Sequence, residues 1–455
     1  MSHTSRRKFI RNGSLGTAGV LLSSGLLNNS LATSLNTSTA KPAILGGMPT
    51  FNPTDWVKWP VWLQGEDEQR FLDSVRSGVW SRNKIVTEFE TTWAAMLGSK
   101  KCLTVVNGTN ALITVMNRLD IGPGDEVITT PYTFIASIQA ILANNAMPVF
   151  ADIDPLTFQI DATKIERLIT KRTKAILAVH ILGLPADMDN IMRIAQKHNL
   201  LVIEDACQAH LAEYDHKKAG TIGKAGCFSF QNSKNLPIGE GGAIVSDDEK
   251  LIDQCYAAHN LGYGNATSTG SIAAESSMKA GKVRLTEYQA AIGLAQLKRL
   301  EAQTATRNSN AQYLTSMLKD IKGITPIKLN DKVTQGAWHL YAFRYNQEAF
   351  KGLARQSFIK ALAAEGLPCS GGYKVMHTQE FMRDAFNSRV YKGFYTKDLL
   401  DFNKYRERSK CPENALLCNE AVWIPQNVLL GTKEEMEKIA AVIKNISNNA
   451  DKIKH

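Results

Sequence analysis

Apolar runs of four or five residues at 103–106, 126–129, 148–151, 175–179 and 200–203 set a rhythm that few folds can satisfy. Segments of helix length, 110–119, 134–145, 162–171 and 187–198, separate most of them. Short buried strands alternating with helices need crossover connections, and crossovers build a parallel or mostly parallel sheet covered on both faces. Two further runs, 227–230 and 243–245, lie too close together for a helix between them and read as strands of the same sheet. A long amphipathic helix is expected over 284–299, continuing toward Leu318, and a new unit starts near Gly323. A strand-like 338–345, a helix-like 356–365 and a last helix at 432–446 then describe a smaller α+β domain. The expected organisation is a targeting segment at 1–40, a large α/β domain at 41–305 and a small C-terminal domain at 306–455. The large domain begins with an arm carrying Trp56, Trp59 and Trp62, which is expected to wrap the main body.

At 455 residues the chain is too long for one small core. A hydrophobic share of 44% and a charged share of 21% are those of an ordinary globular protein. The formal charge is +10, but Arg6, Arg7, Lys8 and Arg11 supply four of those charges in a segment without acids. The mild remainder suits anionic small molecules, and no Lys/Arg run interleaved with aromatics argues for nucleic acid. Ser5-Arg-Arg-Lys-Phe-Ile10, followed by a weakly apolar stretch at 14–27, matches a twin-arginine export signal. That stretch is too short and too rich in Gly, Ser and Thr to span a membrane. Small-residue cleavage sites follow at Ser30-Leu-Ala32 and Ser38-Thr-Ala40, so a periplasmic protein with no stable membrane span is expected. Seven scattered cysteines form no C-x-x-C or Cys/His pattern, and they read as buried thiols with no metal site.

In open α/β sheets, ligands collect at the carboxyl ends of the strands, and three groups fall there. Asn107-Gly-Thr-Asn110 follows a strand and opens a helix, an arrangement that suits a phosphate but is also a plain turn and N-cap. Glu204-Asp205-Ala-Cys-Gln208 ends the 200–203 run; a carboxylate there can face a protonated ring nitrogen, bind a metal or cap a helix. Ser229 and Lys234 lie in Phe228-Ser-Phe-Gln-Asn-Ser-Lys-Asn-Leu-Pro-Ile238, just before the glycine turn Gly239-Glu-Gly-Gly242. A lysine there is badly placed for a core and well placed to join an aldehyde cofactor, although an exposed loop is the usual fate of lysine. No G-x-G-x-x-G and no G-x-x-x-x-G-K-[ST] accompanies these groups, which disfavours a dinucleotide site and a P-loop.

Together the segments resemble the sugar aminotransferase family often called DegT/StrS. The blocks run in the family's order: Asn107-Gly-Thr-Asn-Ala-Leu112, Gly122-Pro-Gly-Asp-Glu-Val127, Pro131-Tyr-Thr-Phe134, Val179-His-Ile-Leu-Gly183 and Glu204-Asp-Ala-Cys-Gln-Ala-His210. The Lys234 segment, Arg284-Leu-Thr-Glu-Tyr-Gln-Ala-Ala291 and Val422-Trp-Ile-Pro-Gln426 complete it, so the likeness covers the chain from about Ala43 onward. The resemblance implies an aspartate-aminotransferase-like (PLP fold type I) large domain, pyridoxal 5'-phosphate as cofactor, and a homodimer with active sites at the subunit boundary. It implies that Lys234 forms the Schiff base with the cofactor and shuttles a proton, that Asp205 binds the pyridine nitrogen, and that Gln208 lies near the ring hydroxyl. Phe134 would stack on the ring, and Gly108, Thr109 and Ser229 would hold the phosphate.

The implied reaction moves an amino group from glutamate or glutamine to a keto-sugar or keto-cyclitol. Sugar dehydratases of the family carry histidine in place of the lysine, and Lys234 speaks against that reading. An exported, non-catalytic carbohydrate-binding or regulatory protein is opposed by the intact Lys234 and Asp205. Three departures stand out. Lys282 stands where members carry an asparagine that reaches the neighbouring subunit's phosphate; Leu211 replaces a common glycine and is expected to narrow the pocket; Pro237-Ile238 should stiffen the turn after the lysine. The loop Gly371-Gly-Tyr-Lys-Val-Met-His377 resembles the variable substrate loop of cyclitol and aminobenzoate members, with Tyr373 and His377 as candidate contacts. Export implies an acceptor without a nucleotide.

Overall fold

A computed structural model of the chain describes residues 41–264 and 275–454, so the expected twin-arginine signal and its expected cleavage sites lie outside the described residues. Helices α1 (Glu68–Arg76) and α2 (Lys84–Leu97) precede the first strand, β1 (Lys101–Val105). The crossover rhythm then follows: α3 (Gly108–Arg118), β2 (Glu126–Thr129), α4 (Ile135–Ala143), β3 (Met147–Phe150), β4 (Thr173–Val179), α5 (Met188–Lys197) and β5 (Leu201–Asp205). Two short strands, β6 (Glu213–Tyr214) and β7 (Lys217–Lys218), lead into β8 (Ala225–Ser229) and β9 (Gly242–Ser246), with α6 (Glu249–His259) after them.

The large sheet has seven strands in the order β1-β9-β8-β5-β4-β2-β3. Only β9 opposes its neighbours, pairing antiparallel with β1 and β8, while β8, β5, β4, β2 and β3 pair in parallel. The mostly parallel sheet read from the sequence is therefore present, including the adjacent pair at 227–230 and 243–245. Its two faces are filled by alternate residues of each strand, as a period of two demands. Val127, Leu177 and Ile203 face one core with α3 side chains Ala111, Leu112 and Val115. Ile128, Ile176 and Val202 face another with Met188, Ile191 and Ile194 of α5.

One expected helix is absent. Residues 162–171 form two 3₁₀ turns, Ala162–Lys164 and Glu166–Leu168, the first capped by the Asp161 side chain on the Thr163 N–H. Thr173 Oγ1 accepts from the Thr170 N–H at 2.8 Å, which folds the segment straight into β4 before an α-helix can propagate.

The long helix α7 (Glu287–Leu318) runs unbroken for 32 residues, through position 305, and carries the chain to the smaller sheet. That sheet is built from β10 (Ile324–Pro326), β12 (Leu340–Tyr345), β13 (Ser370–Gly371) and β14 (Ala421–Pro425), all antiparallel, whereas β11 (Val333–Gln335) joins β6 and β7. Helices Arg355–Ala364 and Lys433–Asn448 pack with it, close to the expected positions. The N-terminal arm wraps the body as read. The Glu365 carboxylate accepts from the Ala43 N–H at 2.8 Å and from the Thr50 hydroxyl at 2.8 Å, and Trp56 Nε1 donates to the Gly366 carbonyl at 2.8 Å.

Candidate active site

A cavity of about 610 Å³ opens at the carboxyl ends of the central strands, within the range of small-molecule sites. Its lining includes all seven residues to which the resemblance gives a role toward the cofactor: Gly108, Thr109, Phe134, Asp205, Gln208, Ser229 and Lys234. Tyr373 also lines it.

One wall is the start of α3. The Asn107 side chain caps the helix, accepting from the Asn110 N–H at 2.9 Å, so the first-turn N–H groups of Gly108 and Thr109 stay free for an anion. Glycine at 108 is a packing requirement. A Cβ there would sit 2.6 Å from Cys207 Sγ and 2.8 Å from Ser229 Cβ, and would push α3 away from the end of β8.

Asp205 closes β5 and is buried. Its Oδ2 accepts from the Ser137 hydroxyl at 2.6 Å, and its Oδ1 accepts from the Cys207 N–H at 3.2 Å. Because Ser137 donates to the carboxylate, its oxygen accepts from the Thr133 hydroxyl 2.8 Å away. The carboxylate is thus fixed by a chain of hydroxyls from α4 and the turn before it. The neighbouring Glu204 does different work: it takes N–H groups from Gly220, Ile222 and Gly223 and holds His180 Nε2 at 2.8 Å. His180 Nδ1 accepts from the Ala186 N–H, so the ring is a neutral structural pin.

Lys234 sits in a loop closed by backbone bonds from Ile238 N to the Phe230 carbonyl and from Phe230 N to the Gly241 carbonyl. Trp59 of the N-terminal arm donates from Nε1 to the Lys234 carbonyl at 3.2 Å. Among the described residues Lys234 Nζ makes no hydrogen bond or ion pair. Desolvation lowers its pKa, opposed by the charges of Cys207 and Asp205. The amine is thereby shifted toward the neutral, nucleophilic form.

Gln208 is fixed on both ends: Oε1 accepts from the Leu182 N–H at 2.8 Å and Nε2 donates to the Tyr373 hydroxyl at 3.0 Å. Gly183 lets the backbones come close here, since a Cβ there would lie 2.7 Å from both the backbone oxygen of Gln208 and the backbone nitrogen of His339. Phe134 is 55% exposed at the mouth. Ser137, Cys207, His339 and Trp423 line the cavity too and were not read from the sequence.

His377 does not line the cavity; it is buried, and burial lowers its pKa. Its short 3₁₀ turn packs Met376 against a separate core around Phe386 and Tyr405. Leu211 does not narrow the pocket either. It is buried in the core with Trp93, Phe228 and Phe230, at φ +60°, and that left-handed backbone explains a preference for glycine at this position. Lys282 is exposed, bridges through its backbone to Asn260 and lies outside the cavity of its own subunit.

Residues 62–444 match the DegT/DnrJ/EryC1/StrS aminotransferase family. The L-glutamine:2-deoxy-scyllo-inosose aminotransferase of Streptoalloteichus tenebrarius is 31% identical over 411 residues, 85% of this chain and 94% of that one. The spore coat polysaccharide biosynthesis protein SpsC of Bacillus subtilis is 39% identical over 310 residues, 67% of this chain and 79% of that one. A solved 3-amino-5-hydroxybenzoic acid synthase superposes with a TM-score of 0.76 at 27% identity, covering 86% of this chain and 97% of its own. The expected fold is therefore the observed one, and the chain belongs to the DegT/DnrJ/EryC1/StrS aminotransferase family and is an aminotransferase.

Proposed function

We propose that the protein binds pyridoxal 5'-phosphate in the Lys234 cavity and transfers an amino group from glutamine or glutamate to a keto-cyclitol or keto-sugar. The observation that carries this reading is the meeting of a primary amine, a fixed carboxylate and a free helix N-terminus in one cavity. That donor set fits the cofactor: an amine for its aldehyde, a carboxylate for its pyridine N–H, and N–H and hydroxyl groups for its phosphate. When bound, the cofactor supplies an electron sink for the carbon that loses or gains the amine.

The chain's own groups divide the remaining work. The start of α3, with the hydroxyls of Thr109 and Ser229, binds the phosphate, and Gly108 lets the walls close around it. Asp205, held by Ser137 and the Cys207 N–H, would bind the cofactor's pyridine nitrogen and keep it protonated. Phe134, at the mouth, would stack on the cofactor's ring, and Gln208 holds the phenol of Tyr373 at the cavity wall. Lys234 takes up and returns a proton at Nζ, a task favoured by the burial that lowers its pKa.

Residues 1–40 direct export through the twin-arginine pathway to the periplasm, and two copies form the working unit. A nucleotide-linked sugar is not expected there, so the acceptor carries no nucleotide. The Streptoalloteichus tenebrarius relative supports this, since its name gives glutamine as donor and an inosose as acceptor. The test uses purified protein loaded with cofactor. A visible absorption band that borohydride bleaches is expected, and Lys234→Ala should abolish it. Amine transfer from glutamine should be faster to free keto-cyclitols than to nucleotide-linked keto-sugars. No band with added cofactor would favour a binding protein, and a preference for nucleotide-linked acceptors would overturn the assigned substrate class.

A further inference from the structure

Asn235 follows Lys234 directly and its side chain is buried. Its Nδ2 donates to the Ala337 carbonyl at 2.7 Å, which turns its Oδ1 toward Nδ1 of His339, 3.3 Å away. An amide oxygen can only accept, so the proton of the neutral imidazole resides on Nδ1. Burial above all holds the ring neutral, pushing its pKa well below the usual histidine range. Nε2 therefore carries a bare lone pair. His339 lines the same cavity as Lys234, and among the described residues no group donates to Nε2. The two sides of this arrangement are stitched together. Asn235 ties the lysine loop to residues 337–339, while Trp59 holds the Lys234 carbonyl from the arm.

We infer that His339 is a positioning residue for Lys234: its Nε2 accepts a hydrogen bond from the free Nζ amine and aims that amine's lone pair at the substrate carbon. Asn235 fixes the tautomer that makes this possible. Lys234 is mobile about four side-chain torsions once its nitrogen is free, and a fixed acceptor removes most of that freedom at the moment of proton transfer. The inference rests on the reading of Lys234 as the amine that engages the cofactor.

The test compares His339→Gln, which keeps a polar atom near the ε position, with His339→Met, which keeps length without a strong acceptor. In the cofactor-loaded protein His339→Met should lower kcat by about tenfold or more with KM for donor and acceptor within about twofold, and should shift the pH midpoint of the visible band. His339→Gln should stay within about threefold of the parent in kcat. Equal slowing in both variants, or in neither, would overturn the inference. If circular dichroism finds His339→Met unfolded, Asn235→Ala takes its place: it frees the tautomer and must slow the same step, and an unchanged kcat would be fatal. A missing band in the parent protein defeats the cofactor reading itself, whereas a normal band with equal slowing defeats only the role of His339.

Discussion

A single missing methyl group decides how closely the start of α3 can approach the strand ends. Gly108 brings the start of α3 against Cys207 and Ser229, and a Cβ would stand 2.6 Å and 2.8 Å from their side chains. Neither neighbour can retreat cheaply, because the Cys207 N–H is bonded to the Asp205 carboxylate and Ser229 ends a central strand. Gly108→Ala is expected to cost about 1–3 kcal/mol of overpacking strain. Its larger effect should fall on cofactor retention, with an increase in Kd of about tenfold or more, each 1.4 kcal/mol being a factor of ten. Titration of apo protein with pyridoxal phosphate, followed by the visible band, reads this directly; an unchanged Kd would remove Gly108 from the phosphate wall. The residues of this wall were legible in sequence because their chemistry is local: a glycine, a hydroxyl and a helix start within three positions. Ser137 and His339 were not. Ser137 reads as one more position on an apolar helix, and His339 as part of a strand approach, until the sheet brings them to Asp205 and Lys234. His377 fails for the converse reason, since its loop sequence suits a substrate contact but the chain spends it on packing.

At the scale of elements, the helix ends show how distant segments are locked together. The Asn83 side chain makes no cap on α2. The carboxylate of Glu287, the first residue of α7, supplies one instead, accepting from the N–H groups of Asn83, Ile85 and Val86 at 2.5, 2.9 and 3.0 Å. A negative charge at a helix N-terminus is favourable in itself, and here it is buried and triply bonded. Glu287→Ala should strand these donors and destabilise the protein by roughly 2–4 kcal/mol, seen as a lower midpoint in thermal or urea unfolding. A midpoint equal to that of the parent would mean that water replaces the carboxylate without penalty. This contact joins residues some 200 positions apart, and no local pattern announces it. The strands, by contrast, were readable because burial on both faces forces continuous apolar runs. The segment 162–171 misled because a helical spacing of Ala162, Ile165 and Ile169 also fits two tight turns, and the Thr170–Thr173 bond favours the turns.

At the scale of the whole molecule, the exposed apolar surface argues for a second copy. Trp80 and Phe134 are each 55% exposed, and Val75 on α1 and Trp62, Leu63 and Val79 on either side of it carry large apolar side chains in the open. Isolated apolar residues on a surface need no explanation, but a group of aromatic and aliphatic side chains beside α1, together with an open aromatic wall on the reaction cavity, calls for a cover. A twofold dimer covers such a face with the same face of its partner, so one substitution acts twice per interface. Light scattering is expected to give twice the mass of the chain at micromolar concentration. Trp80→Glu should weaken that association. Trp80 does not line the cavity and joins the fold through Nε1 on the Val75 carbonyl and its own carbonyl on the Glu287 N–H, so the variant should keep its far-ultraviolet circular dichroism. If the mouth around Phe134 is completed across the interface, dissociation should also weaken cofactor binding, and the loss should recover as protein concentration is raised. A parent protein that scatters as a monomer at these concentrations would show that the apolar face serves something other than a second copy. A Trp80→Glu variant that remains dimeric would place the interface elsewhere on the surface.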